Sequence, residues 1–306
     1  MPPAYVNLWK SGGLRRRVQE GKAVLKSCRL CPRQCGVDRT RGERGFCRSG
    51  VLPMVASANV HFGEEPPISG TRGSGTIFFS NCNLHCLFCQ NYPISQLGVG
   101  QEKNVEDLGR MMIDLQSRGC HNINFVTPTH FVPQIIEALA LAVEEGFRLP
   151  LVYNTNGYDG RETLRLLEGI IDIYLPDMKY ADEEKARNYS QAPHYPEVNA
   201  AAVREMYRQV GAARYAPDGV MERGLIIRHL ILPNGLAGTE KMAQFIAENF
   251  SGQCAISLMT QFFPAYRAKG FPELKRRLYR REFKEALKIL DRYHLQRGWL
   301  QEIRGN

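Results

Sequence analysis

The chain has 306 residues and a formal net charge of +9, long enough to bury a full core. No run approaches the ~20 apolar residues of a membrane span, the longest aliphatic stretch being Ala138 to Val143, and Met1 to Lys10 lacks the apolar core of a signal peptide. The expectation is a cytoplasmic protein whose nine cysteines serve as metal ligands and core thiols rather than disulfides.

In chain order, residues 1–50 carry twelve Lys and Arg against three acids. They also contain the run Cys28-x2-Cys31-Pro32-x2-Cys35-x11-Cys47. Four thiolates at this spacing imply one complete metal site, and zinc or an auxiliary iron-sulfur cluster both fit it. Next comes His61 to Gly70, in which Glu64 and Glu65 are followed by two prolines. Such a loop is fixed rather than mobile; it is either a rigid acidic reader of a substrate amide or amine, or a surface turn.

The apolar run Thr76–Ser80 leads directly into Cys82-Asn83-Leu84-His85-Cys86-Leu87-Phe88-Cys89. Three thiolates on one short loop hold three irons of a four-iron cube and leave the fourth iron open to a small molecule. A zinc knuckle is the alternative, with His85 as its local candidate for a fourth ligand. The CxxxCxxC run, with an aromatic before its last cysteine, resembles the signature of the radical S-adenosylmethionine (SAM) superfamily. Its continuation, Cys89-Gln90-Asn91, is similar to the branch containing pyruvate formate-lyase activating enzyme and its uncharacterised homologues. The resemblance implies a 4Fe-4S cluster on Cys82, Cys86 and Cys89. It also implies SAM chelated at the open iron and reductively cleaved to a 5′-deoxyadenosyl radical. Phe88 would then pack beside the cluster and adenine, and Asn91 lies among the expected cofactor contacts. In the activating enzymes the 61–75 segment is a substrate-facing lead-in. Their extra clusters use eight cysteines after the SAM motif, so the Cys28–Cys47 set departs from them.

Beyond the cysteines, apolar runs alternate with helical patterns. Strands are expected at Thr76–Ser80, Ile123–Thr127, Leu149–Thr155, Asp172–Pro176, Leu225–Pro233 and Ala255–Thr260. Asn104 caps a helix over Val105–Gln116, Pro133 opens the next, Gly146 closes it, and Arg161–Leu167, Val203–Val210 and Thr239–Asn249 supply three more. Alternation of this kind predicts a parallel α/β sheet with right-handed crossovers. Six units match the partial (βα)6 TIM-like barrel that the resemblance implies. Cys120 and Cys254 stand at strand starts and read as inert core thiols.

Parallel barrels carry chemistry at the C-terminal strand ends. The second run ends in Val126-Thr127-Pro128-Thr129-His130, where the family has a Gly-Gly-Glu motif that this chain lacks; Thr127 is the cofactor candidate there, and His130 is either polar site or structural. Asn154-Thr155-Asn156-Gly157 resembles the family's Thr-Asn-Gly turn, and Asp177-Met178-Lys179 its Asp-x-Lys element, whose lysine pairs with the SAM carboxylate. Arg228 and His229, inside an apolar run, are expected to point into the barrel toward SAM or substrate. The sixth run ends in Gln261-Phe262-Phe263-Pro264, without the histidine of its family counterpart.

The last segment, 267–306, carries twelve bases against five acids, and Phe271 to Gln301 reads as one basic amphipathic helix with Phe283, Leu287, Leu290 and Tyr293 in a stripe. The organisation expected is a Cys-rich segment at 1–60, the barrel at 61–266 and a helical extension at 267–306. The function implied by the resemblance is radical hydrogen abstraction, activating a glycyl radical enzyme or modifying a small molecule, peptide or RNA base. A non-catalytic iron-sulfur or zinc scaffold is the reading from another class. The implied electron source is a small flavodoxin- or ferredoxin-type donor. The basic ends lack the aromatic-basic pattern of RNA modules, so nucleic acid is not the expected partner.

Overall fold

All six apolar runs form strands in the computed structural model, which describes residues 2–250 and 253–300. The strands are β1 (Met54–His61), β2 (Ser74–Phe79), β3 (Gln101–Glu102), β4 (Ile123–Val126), β5 (Leu151–Thr155), β6 (Ile173–Pro176), β7 (Arg214–Tyr215), β8 (Met221–Leu230), β9 (Ala255–Met259) and β10 (Gly298–Leu300). Among the described residues they form one open sheet in the order β10-β9-β8-β6-β5-β4-β2-β1-β3, with β7 paired to β8. From β2 to β9 every neighbour along this path is parallel. The strands β5, β6 and β9 are buried along their whole length, the pattern of a sheet covered on both faces. This is an α/β partial barrel.

Helices return the chain between strands on the outside. The helix Val105–Ser117 starts where Asn104 Oδ1 accepts from the Asp107 N–H at 2.6 Å. Val132–Glu144 lays Ile135, Ile136, Leu139 and Val143 into the main core. The helices Glu183–Ser190 and Tyr195–Val210 together replace the shorter Val203–Val210 expected from the sequence. Among the described residues no helix is long and apolar enough to cross a membrane.

Two edges depart from expectation. The strand β1 lies antiparallel on β2 from Val55 to His61, so the sheet begins ahead of residue 61. The tail is not one helix from Phe271: the helix is Arg280–Arg292 alone. Glu282 accepts from the Tyr279 N–H at 2.7 Å and from both Arg276 terminal nitrogens at 2.8 Å, which caps the chain at Tyr279. After this helix the chain turns into β10, parallel to β9. Gln301, the expected helix end, lies outside the described residues.

Candidate active site

The loop carrying Cys82, Cys86 and Cys89 leaves the C-terminal end of β2 and is tied to elements far away in sequence. Its His85 and Leu87 N–H groups donate to Ser190 O at 3.0 Å and Tyr189 O at 2.8 Å, and Leu87 O accepts from the Arg267 N–H at 2.9 Å. Arg33 Nε donates to Asn83 O at 3.1 Å and Gln96 Nε2 to Leu84 O at 3.2 Å. Cys82 and Cys86 are buried, and Cys89 is half-buried. Around them packs an apolar cluster that includes Phe88, Tyr158, Tyr180, Tyr195 and Phe262, which keeps the local dielectric low.

Each thiol meets a hydrogen-bonding side chain. Asn156 Nδ2 donates to Cys82 Sγ at 3.3 Å, Ser190 Oγ lies 3.0 Å from Cys86 Sγ, and Ser95 Oγ lies 3.0 Å from Cys89 Sγ. The Leu84 N–H adds a backbone donor to Cys82 at 3.3 Å. Burial pushes the Cys82 thiol up to about 12 and the Cys86 thiol to about 11, so bare thiols stay protonated and a bound metal must supply the charge that ionises them. Two buried sulfurs and one half-buried sulfur on one loop, each beside a hydrogen-bonding side chain, suit by their chemistry the ligand set of a three-cysteine cluster. His85, the candidate fourth ligand of a zinc knuckle, is stacked on Phe46 at 4.1 Å between ring centres.

Beside this loop, Asp177 at the end of β6 is gripped by two cations. Lys179 Nζ lies 2.6 Å from its Oδ2 and Arg228 Nε 2.8 Å from its Oδ1. Burial alone would raise the Asp177 carboxyl, but Arg228 and Lys179 outweigh it and hold it below the ordinary range. Burial works against Lys179 too, and Asp177 and Cys86 reverse the effect, so the ammonium is retained. Two cations share Asp177 in a poorly solvated place; Glu64 and Glu65 also act on Arg228, so Lys179 is the cation best placed to meet a ligand carboxylate. Facing them is Glu64, whose Oε2 accepts from Asn154 Nδ2 at 3.3 Å. Burial lifts the Glu64 carboxyl to about 7, with Arg228 pulling the other way.

The remaining expected residues divide. Phe88 is buried edge-on to Phe262 at 5.6 Å, next to the cysteines. Asn156 stands at the site but braces it, giving its amide to Cys82 Sγ and, at 2.7 Å, to Asn83 Oδ1. Gly157 after it has φ of +76°, and a Cβ there would lie 2.2 Å from Asp177 O, so this turn requires glycine. Thr127 holds φ of +59°, unusual for a β-branched residue, with its N–H on Asn154 O at 2.9 Å. Asn91 is exposed ahead of the short helix Tyr92–Ser95.

His229 corrects the sequence reading. Its Nδ1 is 2.7 Å from Met178 O and its Nε2 3.0 Å from Thr239 Oγ1, so both ring nitrogens are spent on structure. Successive strand residues face opposite sides; Arg228 turns to Asp177, so His229 turns to the helix starting at Thr239. His130 is fully buried, with Nε2 3.0 Å from Ser80 O. The expected second set, Cys28, Cys31, Cys35 and Cys47, lines one small cavity beside the Cys82–Cys89 loop. Among the described residues no three His, Cys, Asp or Glu side chains are gathered as ligands of one ion. Ser95 and Ser190 were invisible to motif reading, because Ser190 reaches Cys86 only through the helix Glu183–Ser190.

The family described as the radical SAM superfamily matches residues 76–213. The uncharacterized protein MJ0674 of Methanocaldococcus jannaschii is 30% identical over 289 residues, covering 91% of this chain and 78% of that protein. Among solved structures, the FeFe-hydrogenase maturase HydG from Carboxydothermus hydrogenoformans superposes with a TM-score of 0.50 at 14% identity, over 72% of this chain and 52% of its own. That likeness is one of fold, and the chain spans about half of that protein. A domain of pyruvate-formate lyase-activating enzyme from Bacteroides vulgatus gives a TM-score of 0.40 at 14% identity, over 56% of this chain and 91% of the domain, too remote to bear on subtype.

Proposed function

The chain belongs to the radical SAM superfamily, and from that premise we propose that Cys82, Cys86 and Cys89 hold its 4Fe-4S cluster and that Lys179, which shares Asp177 with Arg228, receives the SAM carboxylate. When bound, cluster and cofactor supply a 5′-deoxyadenosyl radical that takes hydrogen from a substrate carbon. The chain's own residues do the rest. Three thiolates bind, while Asn156, Ser190 and Ser95 spread their charge by hydrogen bonding. Asp177 keeps both cations fixed, and the aromatic shell around Phe88 excludes water. The observation that carries the reading is this adjacency: three thiols, two of them buried, each beside a hydrogen-bonding side chain, next to a buried two-cation, one-carboxylate group, both at C-terminal strand ends.

Within that chemistry, hydrogen abstraction from a backbone glycine of a partner enzyme is the first reading, and modification of a small molecule, peptide or RNA base the second. Glu64 at the barrel mouth favours a substrate group that donates hydrogen bonds, an amide or amine. A small flavodoxin- or ferredoxin-type protein is the proposed electron donor. The test is anaerobic: protein reconstituted with iron and sulfide is reduced with dithionite in the presence of SAM, and 5′-deoxyadenosine is measured. Formation by the parent and its loss in Cys86→Ala are expected; cleavage that survives in Cys86→Ala overturns the cluster assignment. A glycyl radical signal in a mixed candidate partner separates the first substrate class from the second.

A further inference from the structure

The cavity beside the Cys82–Cys89 loop carries charge that the polypeptide leaves uncompensated. It is lined by Cys28, Cys31, Cys35 and Cys47 together with Arg39 and His130. Arg39 is 1% exposed, yet its guanidinium meets no anion: it donates to Gly50 O, with Nε at 2.9 Å, and to His130 O, with Nη1 at 2.6 Å, and lies over the Phe131 ring at 5.6 Å from its centre. Among the described residues no carboxylate pairs with it, and a buried cation without an anionic partner is costly. Arg33, at the same cavity, likewise gives its guanidinium to carbonyls, Asn83 O and Gln191 O, and to the Phe46 ring 3.6 Å away. The Nδ1 of His130 is buried with no hydrogen-bond partner, so a polar group is expected in the cavity. Four neutral thiols answer neither demand. Four thiolates on a dicationic metal core answer the first, because their charge exceeds that of the core and supplies the anion that Arg39 and Arg33 lack.

The structure assigns a tetrathiolate metal centre to Cys28, Cys31, Cys35 and Cys47, with Arg39 as its buried counter-charge. The core is one zinc ion or one 4Fe-4S cube, both dicationic. Binding of zinc, or of a cube made from two ferrous and two ferric ions with four sulfides, releases the four thiol protons to water as the metal–sulfur bonds form, with no change of oxidation state. The centre sits against the catalytic loop at several points: the Phe46 ring stacks on His85, Asn81 Nδ2 donates to Ser49 Oγ at 3.3 Å, and Arg33 holds Asn83 O. It therefore acts as a rigid backing for Cys82 to Cys89.

The test is metal content in a protein whose Cys82, Cys86 and Cys89 are all alanine, so that its outcome is independent of the catalytic cluster. After anaerobic loading with zinc alone or with iron and sulfide, about one zinc or about four irons per chain are expected, and the metal that outcompetes the other names the core. Alkylation of the native protein should spare the four thiols until a chelator is added. Should the triple variant fail to fold, the parent is compared with Cys28→Ser/Cys31→Ser, which should lose only the second metal complement. Arg39→Met should lower metal retention at least tenfold, and Arg39→Lys should restore part of it. No bound metal beyond the catalytic set, or four thiols alkylated as fast with metal as without, overturns the assignment.

Discussion

Lys179 and Arg228 share one carboxylate, and the arithmetic of their charges decides what the site accepts. Asp177 bonds both, and Glu64 and Glu65 add negative charge beside Arg228, so Lys179 is the cation left for a ligand carboxylate. Lys179→Ala should weaken SAM binding by ~1–3 kcal/mol, the range for leaving a buried polar group without its partner; equilibrium binding that leaves the affinity unchanged would remove Lys179 from the cofactor site. Ser190 tests the sulfur side of the same arrangement. Its hydroxyl lies 3.0 Å from Cys86 Sγ, and hydrogen bonds to cluster sulfurs help set reduction potential. Ser190→Ala should lower the potential of the reconstituted cluster while leaving iron content near that of the parent, as read by potentiometric titration with electron paramagnetic resonance. An unchanged potential would reduce Ser190 to a packing residue.

At the scale of elements, strand alternation separates two neighbours on β8 that the sequence placed together. Arg228 faces Asp177, whereas His229 faces Met178 O and Thr239. His229→Ala should therefore cost ~1–3 kcal/mol of stability through its two orphaned partners and leave SAM affinity at the parental value. A variant of parental stability with weakened SAM binding would return His229 to the site. The same comparison shows what was legible in the sequence. Cys82, Cys86 and Cys89 were visible because a cluster demands local spacing, and the six parallel strands because burial on both faces leaves unbroken apolar runs. The strand β1 was hidden: Ala56, Ser57, Ala58 and Asn59 are too small and polar to mark a strand without the partner β2. The thiol donors were hidden for a related reason, since Ser190 and Asn156 reach the sulfurs only when separate strand ends converge. The Cys28–Cys47 spacing was readable, but its buried neighbours Arg39 and His130 were not, because they come together only through tertiary packing.

The molecule as a whole carries buried groups whose ionisation pulls stability in opposite directions over one pH range. Glu64 is raised from 4.5 to about 7 and Asp172 from 3.8 to about 6, each first by burial. Asp172 spans the molecule, accepting from the Ala4 N–H at 2.8 Å and the Leu151 N–H at 3.0 Å, and so joins the N-terminus to β5. Folded, both carboxyls keep protons that the unfolded chain has already released, so their contribution is whole below the unfolded values and lost as pH rises through the folded ones. His229 is lowered from 6.5 to about 4, chiefly by burial. Folded, it refuses a proton that the unfolded chain accepts, so its contribution is present above 6.5 and lost as pH falls toward 4. The parent's own stability curve mixes these terms, but differences between variants separate them. Relative to the parent, Glu64→Gln should gain about 1.4 kcal/mol per pH unit between pH 4.5 and 7, the linkage slope for one proton. His229→Gln should change in the opposite sense between pH 4 and 6.5, its deficit growing as pH rises. Denaturant midpoints on anaerobically loaded protein across this range measure both, and two flat difference curves would mean that Glu64 and His229 ionise in the fold as they do in the unfolded chain.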